Sequence, residues 1–209
     1  MLDNYNKNED GIIYQIEKEL EVKYDFQYSS KYTKYGDLPT YMGYLRLGNI
    51  IGSIGRIPET ILDNGYGDGS FLKVCKNIIK ECYGNDLSSY PVPDGCIKVN
   101  NFLDSFYDVI TFFDSLEHFE NIEFVKDLNC NYICISVPHC HYFDDEWLKD
   151  WKHLRPNEHL WHFDENSLNN FMTRMGYKLL TTSNIEDTIR KNKENEFNIL
   201  TCVFKKIKV

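Results

Sequence analysis

The chain's 209 residues are enough for one α/β domain with a full core and too few for two ordinary ones. Hydrophobic residues make up 42% of it, yet no apolar run approaches the ~20 residues of a membrane span, and the start Met1-Leu2-Asp3-Asn4 is unlike a signal peptide, so a soluble, cytoplasmic protein is expected. The formal charge of −9, with basic residues interleaved among acids as in Asp187 to Glu196, disfavours a nucleic acid partner, because neutralising phosphates takes clustered Lys and Arg.

In chain order, residues 1–10 are polar and read as a frayed end. From Gly11 to about Tyr24, Ile12, Ile13, Ile16, Leu20 and Tyr24 recur at helical spacing between Glu17, Lys18, Glu19 and Glu21, which predicts an amphipathic helix. The stretch Tyr24 to Tyr35 is dense in tyrosine, whose ring buries area while its hydroxyl seeks a partner. It reads either as the rim of a ligand site or as a surface loop with aromatic anchors. A second helix is expected from Tyr41 to about Ile54, carrying Arg46 and ended by Gly55 and Pro58.

From residue 58 onward strands alternate with helices, which implies a largely parallel sheet. The pattern predicts a strand at 60–64, a helix at 69–80 and a second strand at 82–86. The ten residues before the third strand, Ile97 to Val99, hold Pro91, Pro93 and Gly95, too short and proline-rich for a crossover helix. One sheet face therefore needs another cover, either the N-terminal helices or a second subunit. The fourth strand is expected at Asp108 to Phe113, then a helix of about ten residues to Leu128, and the fifth from Tyr132 to Val137, stopped by Pro138. The segment His139 to Phe163 holds three tryptophans and five histidines without regular periodicity. A helix from Asp164 to Met175, with Asp164 as N-cap and Gly176 as stop, precedes strands at 177–182 and 197–205.

The stretch carrying the chemistry is Asp63-Asn64-Gly65-Tyr66-Gly67-Asp68-Gly69, a strand running into a tight turn and a helix start. Glycines at every second position permit positive φ and let a ligand lie on bare backbone, in front of the unpaired N–H groups of a helix N-terminus. Twenty-one residues after Gly65, the second strand ends in Asp86, placed to accept hydrogen bonds from both hydroxyls of a ribose. A nucleoside derivative is the expected ligand.

With two further stretches, Tyr107 to His118 ending in Glu117-His118, and Glu158-His159-Leu160-Trp161-His162-Phe163, the chain resembles the small-molecule branch of the class I S-adenosylmethionine-dependent methyltransferases, over residues 58 to 209. The resemblance implies a Rossmann-like, doubly wound, mostly parallel seven-stranded sheet with an antiparallel C-terminal edge hairpin. Residues 58–209 would form the core and 1–57 a helical cap or lid of the same domain. It implies S-adenosylmethionine as cofactor, with Asp86 and Leu87 at the ribose, and Asp63 and the backbone of Gly65, Tyr66, Gly67 and Gly69 at the methionyl tail. Asn101 and Phe102 would lie near the adenine, with Phe113, Asp114 and Ser115 completing the set. The resemblance also implies that the segment before the first strand closes over the cofactor, with Tyr28, Tyr32 and Tyr35 as substrate contacts; the expected acceptor is a small molecule and the chain a monomer or homodimer.

Methyl transfer is an in-line displacement that alignment and exclusion of water accelerate; a base matters where the acceptor must lose a proton. His118, His139 and His159 are the candidates, each also fitting a structural role, and His139 is preferred because it follows the fifth strand directly. His139-x-His141 and His159-x-x-His162 flank Asp144, Asp145 and Glu146, donors that suit zinc, but no regular structure fixes their faces and no metal is assigned. Seven cysteines, without a C-x-x-C pair and mostly in apolar stretches, favour a reducing compartment. A non-catalytic protein binding the same cofactor and an NAD-dependent oxidoreductase stay open; the glycine spacing and the terminal hairpin count against the second.

Overall fold

The apolar runs from residue 60 onward pair side by side into one seven-stranded sheet in the computed structural model, which describes residues 1–21, 36–88, 90–190 and 197–207. Its strands are β3 (Thr60–Asn64), β4 (Glu81–Asn85), β5 (Ile97–Lys98), β6 (Tyr107–Phe113), β7 (Cys130–Pro138), β9 (Tyr177–Ser183) and β10 (Ile199–Lys206), in the order β5-β4-β3-β6-β7-β10-β9. Pairs among β3 to β7 are parallel, and β10 runs antiparallel to both β7 and β9, giving the expected edge hairpin. The order reverses between β3 and β6, so a crevice opens at their carboxyl ends, where such sheets bind ligands.

Both sheet faces are covered, and successive residues of one strand serve opposite sides. Leu62 and Ile110 join the core beneath α4 (Glu165–Arg174) with Leu168, Phe171 and Met172, whereas Ile61 and Val109 join the core beneath α1 (Leu38–Ile54) and α2 (Ser70–Cys75) with Leu47, Ile50 and Phe71. No helix occupies the span between β4 and β5 among the described residues; Tyr90, Val92 and Cys96 pack there instead, and α1 against α2 supplies the cover.

The N-terminal end departs from expectation. Residues 1–21 contain no helix: β1 (Tyr5–Lys7) and β2 (Ile13–Gln15) pair antiparallel, and β2 pairs with β8 (Trp161–His162). Gly11 at φ 93° turns the chain, and the apolar residues alternate about the sheet rather than following a helical stripe, with Ile12 buried in the large core and Ile13 in a smaller one with Tyr5. Tertiary pairing thus overrides a helix-like local pattern, and among the described residues before 58 the helix is α1. The helix at 69–80 shortens to α2, six residues followed by turns. The ten-residue helix after the fourth strand is replaced by 3-10 turns at Leu116–His118 and Glu123–Asp127. Asn121 Oδ1 accepts from Glu123 N, and the Phe119 carbonyl accepts from Trp161 Nε1 at 2.6 Å, so the groups that would continue a helix bond elsewhere. Within His139 to Phe163 lie a short helix, α3 (Asp145–Asp150), and β8.

Candidate functional site

The turn after β3 is built as its sequence demands, with Gly65, Gly67 and Gly69 all at positive φ (89°, 54° and 72°). Gly65 N donates to Asn85 O at 2.7 Å, stitching the turn to the end of β4. A methyl group at Gly65 would stand 2.5 Å from Ser115 Cβ, and one at Gly69 2.6 Å from Pro93. Gly65→Ala is therefore expected to destabilise the fold by about 2–4 kcal/mol from strain plus collision, read as a lower midpoint in urea unfolding; an unchanged midpoint would mean that the turn is not packed this way.

Asp86 closes against the turn. Its Oδ2 accepts from Gly67 N at 2.8 Å and its Oδ1 from Ser88 N at 2.6 Å. The Asp68 carboxylate accepts from Ser70 N and Ser70 Oγ, so it serves the first turn of α2. Tyr66 turns into the core, its hydroxyl donating to the Tyr90 carbonyl. Asp63 is buried at the tip of β3, and Thr111 Oγ1 donates to its Oδ1 at 2.8 Å. Burial pushes the Asp63 carboxyl up to about 7, against the pull of the Thr111 hydroxyl and Arg46, with the charges of Asp86 and Asp68 adding to the rise.

A cavity of about 520 Å³ extends from this turn (Asp63, Gly65, Gly67) past Arg46, Phe113 and Asp114 to His118 and His159. Its charged wall is one network. Arg46 Nε and Nη2 donate to Glu186 at 2.7 and 2.9 Å, Arg190 grips Asp114 through both oxygens at 2.7 and 2.5 Å, and Arg46 also reaches Asp114 at 3.2 Å. Burial works against the charge on Asp114, but the two arginines outweigh it and hold the carboxyl well below its usual range. Asp114 adopts φ 51°, a left-handed conformation uncommon outside glycine, and Arg46 lies 4.2 Å over the Phe113 ring. Ser115 Oγ donates to Asn64 O at 2.7 Å, tying the tips of β3 and β6.

The sequence candidates therefore separate. Asp63, Gly65, Tyr66, Gly67, Phe113, Asp114, His118 and His159 line the cavity; Asp86 and Ser115 touch its turn. Gly69 starts α2. Leu87 is 88% exposed, Asn101 bonds within its own turn to Asp104, and Phe102 packs edge-on against Phe124 at 5.6 Å. Tyr28, Tyr32 and Tyr35 lie outside the described residues.

His139, the preferred base, is not among the lining residues. Pro138 lines the cavity, and along an extended chain the next side chain points the other way. His139 is buried, with Nδ1 3.0 Å from Asn184 Nδ2 and its ring 4.0 Å from that of His141, and burial lowers its pKa to about 4. The metal pairing suggested by the sequence does not assemble either: Asp144 caps α3, Asp145 accepts from Tyr142 and pairs with the Met1 amino group, and His162 packs between Tyr5 and Trp151. Sequence reasoning missed Glu186 and Arg190, which sit in a charged run that reads as a solvated face.

A family model described as a methyltransferase domain matches residues 43–182. No curated protein matches the chain. Among solved structures, the 1,6-didemethyltoxoflavin-N1-methyltransferase of Burkholderia thailandensis, with bound 1,6-didemethyltoxoflavin and S-adenosylhomocysteine, is similar over 98% of this chain and 100% of its own, at 11% identity and a TM-score of 0.60. An S-adenosylmethionine-dependent methyltransferase from Clostridium acetobutylicum is similar over 87% of this chain and 97% of its own, at 12% identity and a TM-score of 0.58. The magnesium protoporphyrin IX methyltransferase of Synechocystis PCC 6803, with bound S-adenosylhomocysteine, is similar over 82% and 87%, at 14% identity and a TM-score of 0.54. At such identities the likeness is one of fold. The family match, which takes in the glycine turn and the strands of the seven-stranded sheet from β3 through β9 up to Thr182, decides the matter: the chain belongs to the methyltransferase domain family, on the class I, S-adenosylmethionine-dependent fold.

Proposed function

We propose that the chain methylates a small-molecule acceptor held between the glycine turn and the histidines of its cavity. One observation carries this reading: a single space of about 520 Å³, a size suited to a metabolite, joins Asp63 and Gly67 to His118 and His159. The described neighbours include enzymes named for 1,6-didemethyltoxoflavin and magnesium protoporphyrin IX, which agrees with a small acceptor. The donor set fits the cofactor: carboxylates at Asp63 and Asp86 suit an ammonium group and a pair of ribose hydroxyls, and the turn between them exposes backbone. S-adenosylmethionine, when bound, supplies a methyl group on a positively charged sulfur that is already a good leaving group.

The chain's own part is alignment and exclusion of water. Asp86 holds the ribose end, Asp63 the amino-acid end, and the Arg46–Glu186 and Arg190–Asp114 pairs balance charge in the intervening wall. His118 and His159 face the acceptor. His159 Nδ1 donates to His153 O at 2.9 Å, and burial lowers its pKa to about 4, so the ring is neutral at pH 7 with a lone pair on Nε2. Within residues 1–57, α1 caps the cavity of the core 58–209, where its Leu38, Pro39, Met42 and Arg46 line the wall. Described-residue helices are not long and apolar enough to cross a membrane, and all seven cysteines are free thiols, which supports a cytoplasmic setting.

Asp63 gives this reading a pH signature. An ammonium group pairs with the ionised carboxyl, so below about pH 7 binding must first expel a proton, whereas above it the carboxylate is ready. Affinity for S-adenosylhomocysteine is expected to rise up to about tenfold per pH unit toward 7 and then level off. Asp63→Asn flattens the profile and weakens binding at pH 8. Calorimetry across this range checks it; a flat wild-type profile would remove Asp63 from the ammonium site. Formation of S-adenosylhomocysteine when the protein is given S-adenosylmethionine and a metabolite extract tests the transfer itself, and tight binding without turnover would favour a non-catalytic role.

A further inference from the structure

Three side chains beyond the cofactor turn form a set of their own. Glu117 and His118 stand on the 3-10 turn after β6, and His159 on the approach to β8; one ligand atom from each, two imidazole nitrogens and a carboxylate oxygen, lie within 4.8 Å of one another. The turn and the approach are fastened together by Leu160 N donating to Glu117 O at 2.8 Å. The His118 and His159 rings meet edge-on at 4.8 Å.

Two independent features point to a cation between them. Glu117 is 1% exposed, and neither carboxylate oxygen has a hydrogen-bond partner in another residue; the His118 Nε2 stands 3.8 Å from Oε1. A carboxylate so buried is strongly disfavoured unless a cation or donors meet it. In addition, the hydrogen bond from His159 Nδ1 to the His153 carbonyl fixes the tautomer whose Nε2 carries the lone pair, the outer-shell arrangement that metal-ligating histidines use.

We propose that Glu117, His118 and His159 bind a divalent first-row transition ion. Two imidazoles and one carboxylate suit such an ion better than magnesium or calcium, which prefer all-oxygen shells. Binding at the ~2 Å metal–ligand distances of such an ion requires the three atoms to draw somewhat closer than they stand, within 4.8 Å of one another. His118 and His159 line the cavity, so the ion's open positions face it and take an oxygen or nitrogen donor of the acceptor. The site shares no residue with Asp63 or Asp86, and binding of the ion does not depend on methyl transfer.

The full chain, stripped with EDTA, is titrated with CoCl2 and MnCl2 while S-adenosylhomocysteine binding is followed separately. One equivalent of Co²⁺ with visible d–d absorption is expected. Glu117→Gln and His159→Gln should each weaken Co²⁺ at least about tenfold, with S-adenosylhomocysteine affinity kept and with His139→Gln behaving as wild type. Absence of stoichiometric Co²⁺ and Mn²⁺ binding by the wild type, or wild-type Co²⁺ affinity in both variants, overturns the proposal. Should either variant fail to fold, the anomalous signal of a wild-type crystal soaked in MnCl2 decides: a peak bonded to these three side chains supports the site, and its absence there overturns it.

Discussion

Replacing Arg46 with methionine is expected to lower the unfolding free energy by about 3–5 kcal/mol. Methionine refills most of the volume but leaves Glu186, fully buried, without its main partner. Burial and, to a lesser extent, the neighbouring Arg190 oppose the charge on Arg46, and Glu186 with Asp114 outweighs them, so the guanidinium is held charged and the Arg46–Glu186 pair must be removed together or not at all. Arg190 Nε, 3.4 Å from the same carboxylate, retains part of the compensation and places the loss toward the lower end of the range. In a Glu186→Gln background the same substitution should cost far less, since neighbours in one network are not additive. Urea unfolding of the double-mutant cycle measures this; equal losses in both backgrounds would show that Arg46 acts through packing alone. Lysine is not an adequate substitute, because one ammonium cannot reproduce a two-point grip on Glu186 and a third contact on Asp114.

Asp86→Ala is expected to weaken S-adenosylhomocysteine binding by about 2–4 kcal/mol, roughly 30- to 1,000-fold, as two hydrogen bonds to a charged acceptor disappear. The substitution also frees Gly67 N and Ser88 N, so part of the loss comes from a looser turn. Asp86→Asn separates the two contributions. It keeps an oxygen for Gly67 N but offers less charge to the ribose, and should fall between alanine and wild type. Isothermal titration with both variants checks the order; an alanine variant that binds as wild type would place the ribose elsewhere.

Much of this site was legible in the sequence because the decisive features are local. Glycines at alternate positions after a strand, and a carboxylate at the tip of the next, describe one turn that can be read without knowing what packs on it. The extended crossover after Asp86 was legible for the same reason, since prolines exclude a helix by themselves. The failures share a cause as well. Ile12, Ile13 and Ile16 fit a helix, but β2 is set by partners 147 to 149 residues away, Ile13 with His162 and Tyr14 with Trp161. Arg190 looks solvated among its charged neighbours, and only the fold brings it to Asp114. His139 follows the right strand, yet whether it faces the cavity depends on strand phase at the pairing with Asn198 and Phe163, which no motif specifies. Glu117 and His118 form a local motif, whereas their meeting with His159 depends on the 3-10 turn that stands where the pattern predicts a helix.

The most direct test of the cofactor placement is a crystal structure of the wild-type chain with S-adenosylhomocysteine. The ribose hydroxyls should lie within hydrogen-bond distance of the Asp86 carboxylate, with the amino-acid arm across Gly65 to Gly67 toward Asp63. A ligand seated elsewhere, or one whose sugar meets no contact at Asp86, would contradict the account.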